Sequence, residues 1–365
     1  MKTQLSTEER KVIGAASSSP EVSLILPFEP VLSSKEEFRH RLKAAIEKVA
    51  SELEANYPDE KARPVIARLK NLLDHLPFDA SKKGLAIFIS PLVEKVFYLD
   101  IAVHERIVID ESFEIRDLVY MKKRLIRYLV LLLSGEAAKV YLGDGNGLLP
   151  IGLGVPDNKN AYERDLPTRV ANFSDPAMHR ETVLDHFLHR IDQGLTKILQ
   201  SYPLPVFVMG VERVLGHFKG ITRNEKSVVQ FIHGNYLGAS EAEVLEVVAP
   251  CINDWQKILE KVCLGKVDRA MSEGKLEYGI KQVWQAATQK NGHLLVVEKD
   301  FVYPAHEGSQ PDSIYREDPA LNNAFYIKDA VDDIMEKVLM TGGDVEFVSN
   351  GALVNYGRIA LIKFY

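Results

Sequence analysis

The chain has 365 residues, more than one ordinary domain holds and enough for two or three. Hydrophobic residues make up 46% and charged residues 26%, the balance of a globular chain that can bury a core of normal size. With 45 Lys and Arg against 51 Asp and Glu, the net charge is -6; this excludes a broadly basic surface as the source of affinity and leaves room for a local basic face. No apolar run approaches the roughly 20 residues that a membrane helix needs, and residues Met1 to Ser6 carry no secretory pattern. Cys251 and Cys263 are the two cysteines. On one helix they would lie about 18 Å apart, beyond disulfide reach. These features predict a reduced, cytoplasmic protein.

In chain order, the apolar run Val22–Pro27, closed by a proline, predicts a strand. Two helices follow, from about Ser34 to Ala55 and from about Ala62 to Leu76; the first carries Phe38, Leu42, Ile46, Val49 and Leu53 on one stripe. Short β runs are expected at Leu85–Ile89, Lys95–Ile101 and Arg106–Ile109, completing an α+β domain over residues 1–120. A linking helix with Lys122, Lys123, Arg124 and Arg127 leads into strands Tyr128–Leu133, Ala138–Leu142 and Leu148–Leu153, with a hairpin turn at Gly143–Gly147. The polar stretch Val155–Asp175 shows no periodicity and is longer than an ordinary connection. A helix from Pro176 to Ser201, a strand at Pro205–Met209, a short helix and a strand at Val228–Ile232 complete a second domain, residues 121–236. In the third segment, residues 237–365, Ser240 and Glu243 form a capping box for a helix to about Met271. Helices at Ile280–Thr288 and Ile327–Leu339 and strands at Leu294–Glu298, Val345–Val348 and Ile359–Phe364 follow, with a polar loop from His306 to Asn323. This alternation predicts a layered α/β domain.

Few residues form a chemical signature. The Gly143–Gly147 cluster precedes a strand, whereas a nucleotide loop must open a helix that receives the phosphates. His179, Asp185, His186 and His189 fall on one predicted helix; their spacing would let imidazoles share a face, but no full metal-ligand set accompanies them, and a polar helix face explains them as well. The basic run Lys122, Lys123, Arg124 and Arg127, with Lys159, Arg164 and Arg169 in the long loop, is either a phosphate-contacting surface or a solvated face. No Gly-x-Ser-x-Gly elbow is present, and neither cysteine has a basic partner close in sequence.

The order of segments resembles the archaeal and eukaryotic class-one peptide-chain release factors and their paralogue Pelota, in the divergent branch found in bacteria. Three regions carry the resemblance: Val22–Pro27 with two helices and then Gly84–Phe88; Tyr128–Leu142 with its hairpin, long loop and following helix; and Gly342–Ser349 followed by Gly357-Arg358-Ile359-Ala360-Leu361-Ile362-Lys363-Phe364-Tyr365. The resemblance implies three domains: an N-terminal α+β domain, an RNase H-like middle domain, and a C-terminal α/β domain like that of kink-turn-binding ribosomal proteins. It implies a partner in the ribosome or a tRNA-like RNA, and a translational GTPase or other protein at the C-terminal domain. No cofactor and no membrane partner are expected from the sequence.

The departures bear on mechanism. Release factors carry Gly-Gly-Gln in the long loop of the middle domain, and residues 155–178 contain no glutamine at all. The Asn-Ile-Lys-Ser element of stop-codon reading is absent from the first domain, where Phe38-Arg39-His40-Arg41-Leu42 stands near the expected helix. Gly308-Ser309-Gln310 resembles a variant tripeptide of a related hydrolase branch, but it lies in the third segment, outside the scaffold that would use it. The expectation is a factor that occupies a stalled ribosome and leaves hydrolysis to a partner. Its alternatives are a peptidyl-tRNA or RNA hydrolase using the histidine helix, and a protein-binding module with no RNA role.

Overall fold

The computed structural model describes residues 5–14, 19–28, 35–76, 82–124, 127–144, 147–156, 158, 176–308, 312–316 and 326–365. The fold is mixed α/β, and the chain gathers into two compact units, residues 1–124 with 260–365, and residues 125–259.

A short helix, α1 (Thr7–Ile13), opens the chain. Its start is set by a capping box of Ser6 and Glu9, whose spacing in the sequence signals a helix N-terminus. Strand β1 (Glu21–Pro27), helices α2 (Lys35–Asn56) and α3 (Asp59–His75), and strands β2 (Gly84–Ile89), β3 (Glu94–Leu99) and β4 (Arg106–Asp110) follow, then helix α4 (Arg116–Arg124). The strands form an antiparallel sheet in the order β3-β2-β1-β4. The expected stripe Phe38, Leu42, Ile46, Val49 and Leu53 is buried with Val65 and Leu69 of α3 against Val22, Leu24 and Leu26 of β1. The other face of β1 is buried too: Phe88 meets Phe113 edge-on at 5.5 Å, and the Ser23 hydroxyl accepts from the Glu114 amide at 2.9 Å.

The second unit is built on β5 (Tyr128–Leu133), β6 (Ala138–Asp144), β7 (Gly147–Ile151), helix α5 (Pro176–Ser201), β8 (Val206–Gly210), helix α6 (Glu212–Ile221), β9 (Val228–His233) and the first part of helix α7 (Glu241–Ser272). The sheet order is β7-β6-β5-β8-β9. β5, β8 and β9 run parallel, and the β5-β6-β7 meander is antiparallel. Phe187, Leu188, Ile191 and Leu195 of α5 and Phe218 of α6 bury Leu129, Leu131 and Leu133 on one face. Val244 and Val248 of α7 bury Tyr128, Val130 and Leu132 on the other. Cover on both faces is why β5 reads as a continuous apolar run rather than an alternating one. Gly143 is required because a Cβ there would fall inside the Tyr128 ring.

In residues 260–365, the rest of α7 is followed by β10 (Leu276–Tyr278), α8 (Ile280–Thr288), β11 (Gly292–Glu298), β12 (Ala305–Glu307), β13 (Ile314–Arg316), β14 (Tyr326–Ile327), α9 (Ala330–Met340), β15 (Asp344–Val348) and β16 (Ile359–Lys363). The main sheet, β10-β16-β11-β15, packs Cys263, Val267 and Ala270 of α7 on one face, while α8 and α9 lie against its strands and each other. The expected polar loop from His306 is corrected in part: β12, β13 and β14 form a small antiparallel sheet there, with Ala305 and Ile314 buried. Both cysteines lie on α7 and are free; burial pushes the Cys263 thiol up to about 11. Among the described residues, no helix is long and apolar enough to cross a membrane.

Within the first unit, α4 binds the N-terminal segment to the C-terminal one. The Asp332 carboxylate on α9 accepts from the Ile115 and Arg116 amides at 2.9 and 2.7 Å, capping α4 from outside its own segment. The Arg116 guanidinium, 5% exposed, pairs with Asp329 and donates to the Lys299 carbonyl at 3.3 Å. Replacing Arg116 with Met removes the cation and leaves Asp329, Asp332 and Glu114 buried together. The expected cost to the first unit is about 3–5 kcal/mol. Denaturant unfolding followed by Trp284 fluorescence in a Trp255→Phe background measures it, since Trp284 lies in the first unit and Trp255 in the second.

Candidate functional site

The basic run of the linking helix becomes the C-terminal half of α4. Its apolar residues Leu118, Val119 and Met121 are buried, so the lysines beside them sit against the protein. Lys122 Nζ lies 2.9 Å from Glu9 of α1. Lys123, with a side chain only 10% exposed, reaches Asp344 at 2.9 Å and Glu346 at 2.8 Å on β15. Tyr120 meets Phe347 edge-on at 5.1 Å, and Lys299 Nζ lies 5.3 Å from the Tyr120 ring centre. The two lysines thus neutralise carboxylates inside the first unit. Arg127 is exposed, just ahead of β5. The Arg124 side chain and all of Lys159, Arg164 and Arg169 lie outside the described residues, as does most of the loop at 155–175. Ser309 and Gln310 lie outside them as well.

The histidine helix is α5, and its polar positions face α6. Glu181 accepts from Arg213 at 3.2 Å; one turn on, Asp185 meets His217 Nδ1 at 2.9 Å. Two further turns along, the buried Asp192 carboxylate accepts from the Thr222 hydroxyl at 2.6 Å, the Asn224 side-chain amide at 2.8 Å and the Arg223 backbone amide at 3.1 Å. The same Asn224 amide also donates to Thr196 at 2.9 Å. This ladder pins the turn after α6 onto α5. His217 and Asp192 escaped sequence reading; a pattern present there points to His217, with carboxylates at 181 and 185 on one helix and Arg213 and His217 on the next, each pair four residues apart, whereas Asp192 carries no such signal. His186 is half-buried and His189 exposed, while the His179 side chain lies outside the described residues. The structure therefore brings Asp185 to His217. Among the described residues, no group of three or more His, Cys, Asp and Glu is arranged to hold a metal ion.

Residues 127–291 match the family described as bacterial archaeo-eukaryotic release factor family 3. This segment is similar to the bacterial branch of the archaeo-eukaryotic release factors. The match covers β5 to the end of α8 and so takes in the whole described part of the second unit. No curated protein matches the chain. Among solved structures, it is similar to archaeal Pelota in a ribosome-bound model with ABCE1, at 16% identity over 77% of this chain and 76% of that one, TM-score 0.41. It is similar to Dom34 of S. cerevisiae, at 13% identity over 81% and 78%, TM-score 0.41. It is also similar to the archaeal translation termination factor aRF1, at 14% identity over 97% and 96%, TM-score 0.26.

The ladder between α5 and α6 has unequal rungs. Asp192→Ala removes the buried carboxylate that three donors of a partly exposed turn share and is expected to cost about 1–3 kcal/mol. His217→Ala breaks a pair whose partners are 28% and 45% exposed and is expected to cost under about 1 kcal/mol. Thermal unfolding of the second unit, read through Trp255 in a Trp284→Phe background, ranks the two.

Proposed function

We propose that the protein is a release-factor-like translation factor that engages the ribosome or tRNA in termination or in rescue of stalled ribosomes, without supplying Gly-Gly-Gln hydrolysis itself. The observation that carries this reading is the family match over residues 127–291, together with the absence of Gly-Gly-Gln from the sequence. The β7-β6-β5-β8-β9 order, with helices on both faces, supports an RNase H-like middle domain. The four-stranded β10-β16-β11-β15 sheet with its helices supports a C-terminal domain like that of kink-turn-binding ribosomal proteins. In this reading the chain comprises domains 1–120, 121–236 and 237–365, works in the cytoplasm, and offers its C-terminal domain to a translational GTPase or another protein. Phosphate contact falls to Arg127, Lys159, Arg164 and Arg169, with Arg124. Lys122 and Lys123 serve chiefly as internal ion pairs, and such contacts position a protein on RNA without reading sequence.

Co-sedimentation with ribosomes over a salt series tests the reading. Binding is expected to weaken steeply with salt, and Arg127→Ala with Arg164→Ala and Arg169→Ala should lower the slope of log affinity against log salt by about 2 to 3. Lys122→Ala with Lys123→Ala should instead lower the stability of the first unit. Peptidyl-tRNA release by the protein alone is expected to match background. No binding to empty or stalled ribosomes at low salt would overturn the reading. Hydrolysis lost with His186→Ala or His189→Ala would favour the hydrolase alternative.

A further inference from the structure

The seam that joins α4 to α9 holds more carboxylates than cations. On the N-terminal side, β4 contributes Arg106 and Asp110, the next loop Glu111 and Glu114, and α4 Arg116 and Asp117. On the C-terminal side stand Lys328 and Asp329, followed by Asp332, Asp333, Glu336 and Lys337 on α9; Glu21 of β1 bears on Glu336. Arg106 pairs with Glu114, at 3.1 Å, and with Asp117, while Arg116 pairs with Asp329 and has its Nε 3.9 Å from Glu114. The other two cations make their closest contacts outside the seam, Lys328 Nζ at 3.6 Å from Glu52 of α2 and Lys337 Nζ at 4.1 Å from the Trp284 ring centre, while their charge still favours ionisation of Asp110 and of Asp333 and Glu336 respectively.

Neutral donors hold several of the remaining carboxylates. Asp332 accepts from two backbone amides, Asp333 from the Ser112 hydroxyl at 2.7 Å, and Asp110 from the Lys328 amide at 3.2 Å. Asp110, Glu114, Asp329, Asp332 and Asp333 all line one cavity of about 10 Å³, room for about one water molecule. Carboxylates this close, withdrawn from water, cannot all be ionised at little cost.

We propose that this seam is a proton-closed joint: residues 106–117 stay docked on residues 328–337 while the seam retains protons, and the docking loosens as the medium becomes alkaline. Burial, reinforced by neighbouring carboxylates, raises Glu114 to about 7 and Glu336 to about 8. Burial likewise raises Asp333 to about 6, and Asp110 and Asp332 move up from the same first cause. Once exposed by opening, these groups return to ordinary values of 3.8 for Asp and 4.5 for Glu. The docked seam therefore binds more protons than the open one from about pH 5 to 8. Raising pH through that window favours opening, about tenfold per pH unit for each proton retained.

Hydrogen–deuterium exchange on the full chain tests the joint. The Ile115 and Arg116 amides, which donate to Asp332, should lose at least about tenfold in protection between pH 6 and pH 8 after correction for intrinsic exchange. The amides of Leu129–Leu133 in the second unit should not. Glu114→Gln with Glu336→Gln should flatten the difference. If that pair fails to fold, Glu336→Gln alone, at a half-buried site, should shrink it. Equal protection at both pH values, or equal loss in both units, would overturn the proposal.

Discussion

A guanidinium buried between the starts of two helices holds the first unit together. Arg116 begins α4, and its partner Asp329 is the N-cap of α9, where it also accepts from the Val331 amide at 3.1 Å. Two positive helix ends thus meet across a group of carboxylates. Asp332 turns that meeting into attraction, because it belongs to the first turn of α9 yet caps α4. Removing water from so many charges is costly, and the gain from a buried ion pair rarely exceeds that cost by much. Such a seam contributes orientation more than raw stability: few other placements of α4 would satisfy Arg116, the two amides and the carboxylates together.

The second unit is organised by apolar cover instead. β5 and β8 are buried throughout, so hydrophobic burial on both faces supplies the driving force. Its polar elements work at the margins. Gly194 lets α5 approach the preceding loop, where a Cβ would fall 2.7 Å from the Leu153 carbonyl oxygen. Asp192 fixes the turn after α6, so the residues that entered as catalytic or metal candidates include a helix face occupied by structural pairs.

This division of labour bears on how an acidic chain would meet a phosphate backbone under the proposed function. With a net charge of -6, contacts with phosphate must come from local cations, and two of the most conspicuous in sequence are neutralised within the first unit. The family segment begins at residue 127, just past that unit's last N-terminal residue. Arg127 and the long loop therefore belong to the part of the chain that the family model matches, while the seam lies outside it.

Much of the local structure was legible in the sequence. The stripe on α2, the all-apolar β5, the capping box at Ser240 and the terminal strand are near-neighbour patterns, set by helical and strand periodicity and by side-chain reach over one turn. The mixed α/β character of the middle segment was legible too, through the order of its elements. The small sheet at Ala305–Ile327 was not, because its strands span two or three residues each, too short for periodicity to register. What only the tertiary structure decided is which charges meet. Lys123 and Asp344 stand 221 residues apart, and Arg116 and Asp329 stand 213 apart. Sequence alone leaves Lys123 open between a phosphate contact and a solvated face, and gives no sign of the partner of Arg116. Whether a charge faces water or another charge depends on which surfaces the fold buries together, and that is a property of the packed chain.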